Sequence, residues 1–379
     1  MKVIVFGAGR VGAAIALDLA QDAEFEVSVV DASEQAVARL ARRGIAGEVV
    51  NLVHPGELRR VAAAADLVVG AVPGDMGFAT LRAVLEVKRP VVDISFFPED
   101  PFLLDELARE SNVAAIVDCG IAPGFSNIFL GHMEDTLDRT DRFACYVGGL
   151  PVERTLPWEY KAPFSPADVV EEYTRPARYV SHGAQVIMPA LSESELLEFA
   201  GVGTLEAFNT DGLRTLLRTS RVPFMQEKTM RYPGHIERIH LLREMGFFGQ
   251  VPVKVGGVSV RPRDLATALL FPAWELKAGE EDLTAMRLVA EGVRDGKGVR
   301  ITYDLLDRYD RATGTTSMAR TTGYTCTAAV RLLAQGMWEE VGIVPPEYLG
   351  RRAECFSFIR RELASRGVVF AEKSEPVEG

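Results

Sequence analysis

Short apolar runs at Val3–Phe6, Val27–Val30, Leu67–Val72, Val91–Ile94 and Val113–Val117 punctuate the first third of the chain. Within each run, apolar and polar residues hardly alternate, which is the pattern of strands covered on both faces by crossover helices. Between them, Ala13–Ala20 and Ser33–Arg43 carry helical spacing, with Ser33 placed to cap the second helix. Regular alternation of strand and helix predicts a doubly wound parallel sheet.

The texture changes after Pro123, to longer segments broken by proline and glycine. Val147–Arg154 and Gln250–Arg263 alternate apolar and polar positions and predict antiparallel strands. From Thr325 to Trp338 the spacing is helical again, and Pro345–Gly367 reads as one further helix ending at a glycine. The charged, proline-containing tail Glu372–Gly379 is expected to fray. The chain therefore reads as α/β: a parallel-sheet domain over residues 1–122, an α+β domain with a mainly antiparallel sheet over 123–324, and a helical segment over 325–379 that returns to pack on the first domain.

Gly7-Ala8-Gly9-Arg10-Val11-Gly12 follows the first strand and opens the first helix. In that context Gly7 permits a tight turn, Gly9 lets the backbone approach a pyrophosphate, and Gly12 allows close helix-to-strand packing, while the helix N-terminus offers unpaired N–H groups to the anion. The first domain is thus a Rossmann dinucleotide-binding domain. Asp31 ends the second strand, where its carboxylate accepts from ribose hydroxyls and repels a 2′-phosphate. No basic residue follows it directly, so NAD is the expected cofactor, with Arg10 the feature that would tolerate NADP. Ala71, Val72 and Pro73 form the turn after the Leu67–Val72 run, a further cofactor contact or a plain turn.

Composition narrows the class. The 379 residues carry 53 acidic and 42 basic side chains, a formal net charge of -11 that disfavours nucleic-acid binding. Cys119, Cys145, Cys326 and Cys355 are widely separated, without metal-ligand or disulfide spacing, so no metal is expected and the thiols read as reduced. With no signal-like or membrane-spanning stretch, the expectation is a cytoplasmic protein.

Asp118-Cys119-Gly120-Ile121-Ala122-Pro123-Gly124-Phe125-Ser126-Asn127 resembles the hinge motif of the saccharopine dehydrogenase and lysine ε-dehydrogenase family. Gly148-Gly149-Leu150-Pro151, Glu206 to Leu213, and Glu227-Lys228-Thr229-Met230-Arg231-Tyr232-Pro233-Gly234-His235 are similar to that family's second domain. The resemblance covers nearly the whole chain. It implies an amino-acid dehydrogenase, closest in pattern to the lysine type, that oxidises an amine carbon by hydride transfer to NAD and releases the aldehyde by imine hydrolysis. Saccharopine enzymes typically read Asn-Arg-Asp where this chain has Asn209-Thr210-Asp211, which weakens a dicarboxylate-binding role. A saccharopine- or carboxynorspermidine-type reductase is the alternative. The glycine turn also resembles NAD-binding regulatory domains of potassium transport systems, so a sensor without turnover is a third reading.

Such chemistry needs a carboxylate clamp and a base that neutralises the amine. Arg231 is the candidate clamp, because a guanidinium pairs bidentately with a carboxylate; the alternative is an interdomain ion pair. Asp118, at the end of the Val113–Val117 strand, is placed to orient the substrate ammonium or accept its proton, or else to cap a turn. His235, after Pro233-Gly234, is a candidate general base, and Lys228 a second one if desolvation lowers its pKa. Ser95 is a candidate contact to nicotinamide or substrate, and Asn209 and Asp211 to the substrate amino group. A homo-oligomer, as a dimer, is the base-rate expectation, with a small amino acid as the partner and neither nucleic acid nor membrane.

Overall fold

The structure, a computed structural model, describes residues 1–162 and 166–377. Its first sheet contains β1 (Lys2–Phe6), β2 (Glu26–Asp31), β3 (Ala46–Val49), β4 (Leu67–Gly70), β5 (Val91–Asp93), β6 (Ala114–Ile116) and β17 (Gly342–Val344). The strands are parallel in the order β17-β6-β5-β4-β1-β2-β3. Crossovers are made by α1 (Arg10–Leu19), α2 (Glu34–Ala41), α3 (Pro55–Ala63), α4 (Gly74–Glu86) and α5 (Asp105–Glu110). Along β1, Val3 and Val5 enter the core on one face while Ile4 and Phe6 enter the core on the other. Both faces are apolar because helices cover both, which is why the run shows no alternation. Ser33 caps α2 by accepting from the Ala36 N–H at 3.2 Å.

The second sheet is mixed and mainly antiparallel, with nine strands. These are β7 (Arg139–Pro151), β8 (Ala177–Ser181), β9 (Ala184–Met188), β10 (Glu195–Phe199), β11 (Gly203–Asn209), β12 (Phe224–Arg231), β15 (Asp282–Arg294), β16 (Lys297–Arg308) and β18 (Ala371–Pro376). The main path runs β10-β11-β12-β7-β15-β16-β18, with β8 and β9 attached to β12. Among the described residues the central β7–β12 pair is parallel and the other pairs are antiparallel. Around this sheet lie α6 (Phe125–Thr136), α7 (Pro166–Thr174), α8 (Leu216–Thr219), α9 (His235–Glu244) and α10 (Pro262–Trp274). The chain then returns through α11 (Ser317–Ala334), α12 (Pro346–Gly350) and α13 (Ala353–Ser365). α11 packs on α1, where Arg331 donates to the buried Asp18 at 2.7 Å.

Several elements differ from the sequence pattern. Residues 147–151 are the end of the longer β7, and 250–263 fold as the exposed hairpin β13 (Val253–Val255) and β14 (Val258–Val260), followed at Pro262 by α10. Proline at the first helical position explains that switch, since its missing N–H is unneeded there. The Pro345–Gly367 stretch is broken into two helices by extended backbone at Arg352. The tail expected to fray pairs as β18 with β16, held also by Tyr303 donating to Glu372 at 2.7 Å; residues 378–379 lie outside the described residues. β3 and β17 carry no apolar run long enough to announce them. Among the described residues no helix is long and apolar enough to cross a membrane.

Candidate active site

A cleft of about 470 Å³ opens at the carboxyl ends of the first sheet's strands and is closed on its far side by the second sheet. Gly7, Gly9, Arg10, Val11, Gly12, Asp31, Ala71, Val72 and Pro73 all line it. Steric detail explains the glycines. Gly7 has φ +103°, and a Cβ on Gly12 would lie 2.0 Å from the Gly7 carbonyl oxygen, so α1 is pressed directly on the turn. A Cβ on Gly9 would meet nothing within 4 Å, which leaves its backbone open to the cleft. No side chain caps α1, so its first N–H groups face the cleft unused. Asp31 accepts from Ala8 N–H and Ser33 N–H, each at 2.7 Å, and is thereby fixed at the cleft's edge. Arg10 reaches across instead of pointing at a phosphate, donating to the carbonyls of Ala162, at 3.1 Å, and Leu276.

From the second sheet side, the cleft is lined by Glu171, Glu172 and Arg175 of α7, by Thr210, Asp211 and Gly212 after β11, and by Glu227, Thr229 and Arg231 of β12. The period of two along β12 puts Glu227, Thr229 and Arg231 on one face and Lys228 and Met230 on the other. Lys228 therefore does not border the cleft; its ammonium donates to the Glu193 carbonyl and to Glu195 at 2.7 and 2.6 Å. Its reading as a base is corrected on that ground.

His235 is corrected too. Its ring is fully buried in an aromatic cluster with Tyr160, Tyr173 and Trp274, outside the cleft lining. Nδ1 donates to the Trp158 carbonyl and Nε2 accepts from the Tyr173 hydroxyl, both at 2.9 Å. Burial, then the Arg231 charge, lowers its pKa to about 3, so it is a neutral structural imidazole. Arg231 does border the cleft, but its guanidinium is used within the protein. It donates to Tyr173 at 3.2 Å, the Met230 carbonyl at 3.0 Å and Glu172 at 2.8 Å, and stacks on Tyr160. A structural ion pair, here within the second sheet's own unit and not between domains, is the better description of it.

Asp118 is held away from the cleft by a residue that sequence reasoning missed. Arg214 donates to both its carboxylate oxygens at 3.1 to 3.2 Å, and both side chains are buried. The Asp118 carboxylate is thus engaged by Arg214 and lies outside the lining of the cleft. Asn209 also lies off the cleft, bonded to Ser192, Glu193 and Gln226. Asp211 borders it but is paired with Arg178 at 2.7 Å. Ser95 lines the cleft and is oriented by Asp93, which accepts from its N–H at 2.8 Å and its hydroxyl at 3.3 Å. Burial, reinforced by the Asp118 charge, pushes Asp93 up to about 8.

Two charged groups in the cleft keep unused capacity. Arg175 has a buried Nη1 with no hydrogen-bond partner among the described residues, and its nearest carboxylate, Glu171, is 3.7 Å away and also bound by Arg263. Glu227 has no hydrogen-bond or ion-pair partner for its carboxyl among the described residues, and burial pushes its pKa up to about 8. Neither was singled out from the sequence. The strand period was the available signal for Glu227, since choosing Arg231 for the cleft also selects its neighbour two and four positions earlier. Arg175 had no motif to mark it. Among the described residues no group of three or more His, Cys, Asp or Glu side chains is arranged to hold a metal.

Residues 3–116 match the family described as saccharopine dehydrogenase NADP binding domain, and residues 120–368 that described as saccharopine dehydrogenase C-terminal domain. A mouse (Mus musculus) mitochondrial alpha-aminoadipic semialdehyde synthase is 21% identical over 66% of this chain and 28% of its own length. A carboxyaminopropylagmatine dehydrogenase of Synechocystis is 21% identical over 62% of this chain and 60% of its own length. The match thus spans under two thirds of either relative. The fold is similar to that of saccharopine dehydrogenase (L-Glu forming) from Saccharomyces cerevisiae, with a TM-score of 0.80, 19% identity and 99% of each chain covered.

Proposed function

Because the chain belongs to the saccharopine dehydrogenase family, whose members are NAD(P)-dependent amino-acid oxidoreductases, we propose that it oxidises the amine-bearing carbon of an amino acid with a single carboxylate, the ε-carbon of L-lysine first. The observation that carries this reading is the pair of open valences in the cleft. Arg10 and Asp31 at the glycine turn are held by backbone groups. On the second-sheet side of the cleft, among the described residues, Glu172, Asp211 and Glu171 are matched by Arg231, Arg178 and Arg263, which leaves the Arg175 guanidinium and the Glu227 carboxyl for a ligand. One carboxylate and one amine satisfy them. Saccharopine, with three carboxylates, would need further cations beyond Arg175 that the second-sheet side of the cleft does not leave unpaired among the described residues.

In this reading Gly7, Gly9 and Gly12 would hold the dinucleotide's pyrophosphate and Asp31 its adenosine ribose, which favours NAD over NADP because the carboxylate repels a 2′-phosphate. A nicotinamide held there would supply the hydride acceptor for the substrate carbon. The protein's part is orientation: Arg175 holds the carboxylate, and Ser95, fixed by Asp93, borders the reacting end. We take residues 1–122 as the dinucleotide unit, 123–324 as the substrate unit and 325–379 as the returning segment. The relatives' names favour a second reading, a secondary amine such as saccharopine or a carboxyalkyl polyamine.

The test is formation of reduced cofactor from NAD or NADP with lysine, ornithine, saccharopine and diamines. Turnover of lysine with NAD supports the proposal. Turnover of saccharopine or a carboxyalkyl polyamine alone supports the second reading, and silence with retained NAD binding a sensor. Arg175→Ala is expected to raise the KM for lysine about 10- to 100-fold, the scale of a lost charge-assisted hydrogen bond, and leave NAD affinity unchanged. An unaltered KM removes Arg175 from the site.

A further inference from the structure

We propose that Glu227 is the residue that takes the proton from the substrate ammonium; this rests on the amine-oxidation reading above. The candidates read from the sequence are each committed elsewhere: Lys228 to Glu195 and the Glu193 carbonyl, His235 to Trp158 and Tyr173, Asp118 to Arg214. Glu227 borders the same cleft as the glycine turn and Ser95, with a carboxyl that no protein group engages among the described residues. A Cβ on Gly212 would lie 1.5 Å from Glu227 Oε1, so the loop after β11 packs directly over the carboxyl.

The ionisable groups that face Glu227 are Glu172 on α7, Asp211 and Arg214 on the loop after β11, Asp118 after β6, and the Cys145 thiol opposite it on β7. Arg214, the cation among them, is neutralised by Asp118. Glu227 is therefore a carboxyl without a resident counter-ion, and an incoming ammonium supplies one. With its pKa raised to about 8 the carboxyl is protonated in the empty cleft at neutral pH, and once ionised, by an arriving ammonium or above about pH 8, it is matched to take a proton from the amine. The carboxylate removes H⁺ from R–CH₂–NH₃⁺. The freed nitrogen lone pair then forms the C=N bond while the C–H electron pair leaves as hydride to oxidised nicotinamide. Water adds to the iminium, and ammonium and the aldehyde depart; the proton on Glu227 returns to solvent.

Two readouts on wild type, Glu227→Gln and Glu227→Asp test this. In turnover, wild-type kcat/KM for the amine is expected to rise through about pH 8, while the glutamine variant loses about 100-fold or more together with that limb, and the aspartate variant keeps the limb. In calorimetric titration of lysine into the NADH-loaded protein near neutral pH, wild type releases a proton as the carboxyl ionises against the ammonium, and the glutamine variant releases none. Equal proton release in the two proteins, or a glutamine variant that keeps the limb, overturns the assignment. If wild type turns over no amine in the panel, the functional reading fails, while proton release on lysine binding still decides Glu227; no lysine binding at all overturns both. NADH affinity equal to wild type shows that the variants are folded.

Discussion

Buried ionisable side chains in this molecule divide by whether a partner reaches them. Arg231 and Asp118, in the stretches that carry the family resemblance, are consumed by Glu172 and Arg214, whereas Arg175 and Glu227 keep capacity for a ligand. Sequence shows which residues could act, but a partner 59 or 96 positions away is invisible to it. His235 gives a prediction at this scale. Its folded pKa of about 3 lies below the ordinary 6.5, so below 6.5 the unfolded chain binds a proton that the folded protein does not. The stability from burying the neutral ring is present above pH 6.5 and is lost as pH falls toward 3. His235→Gln is expected to flatten that acid loss in denaturant titrations. Its turnover should stay within about 10-fold of wild type, short of the loss expected for a general base. A loss of about 1,000-fold with the fold intact would return His235 to the chemistry.

Where two helices touch, glycine sets the distance. A Cβ on Gly131 of α6 would lie 2.1 Å from the Glu347 carbonyl oxygen of α12, and one on Gly350 would lie 1.9 Å from that of Ile128. This close approach brings the buried Glu347 side chain into reach of Asn127, Thr215 and Thr219, which bond its carboxyl. Gly131→Ala is expected to destabilise the protein by about 3 kcal/mol, the upper part of the range for overpacking, read from the denaturant midpoint at unchanged m-value. A change below about 0.5 kcal/mol would mean that the helices can separate freely. The helical spacing of these segments is legible in the sequence; the contact is not, because a glycine in a helix looks the same whether it faces solvent or another backbone.

At the scale of the whole molecule, the returning C-terminal segment ties the halves together. β17 adds an edge to the first sheet, β18 adds one to the second, and α11 lies on α1 between them. Asp18, buried on the dinucleotide helix, is bound by Arg331 of α11 at 2.7 Å and by Arg366 after α13 at 2.6 Å. Asp18→Ala would remove the buried carboxylate that both guanidinium groups share, leaving Arg331 with Asp22 and both with the more exposed Glu362, and is expected to cost about 3 kcal/mol and to weaken dinucleotide binding through α1. Thermal unfolding and NAD titration check it; wild-type values for both would show that the segment docks without this pair. The family and the dinucleotide turn were determined by the sequence alone, because a strand, three glycines and a helix act through local backbone geometry that neighbouring residues specify. Which charges remain free in the cleft was decided only by the tertiary structure, because pairing and desolvation depend on groups that folding brings together from β12, α7 and the loops between the two sheets.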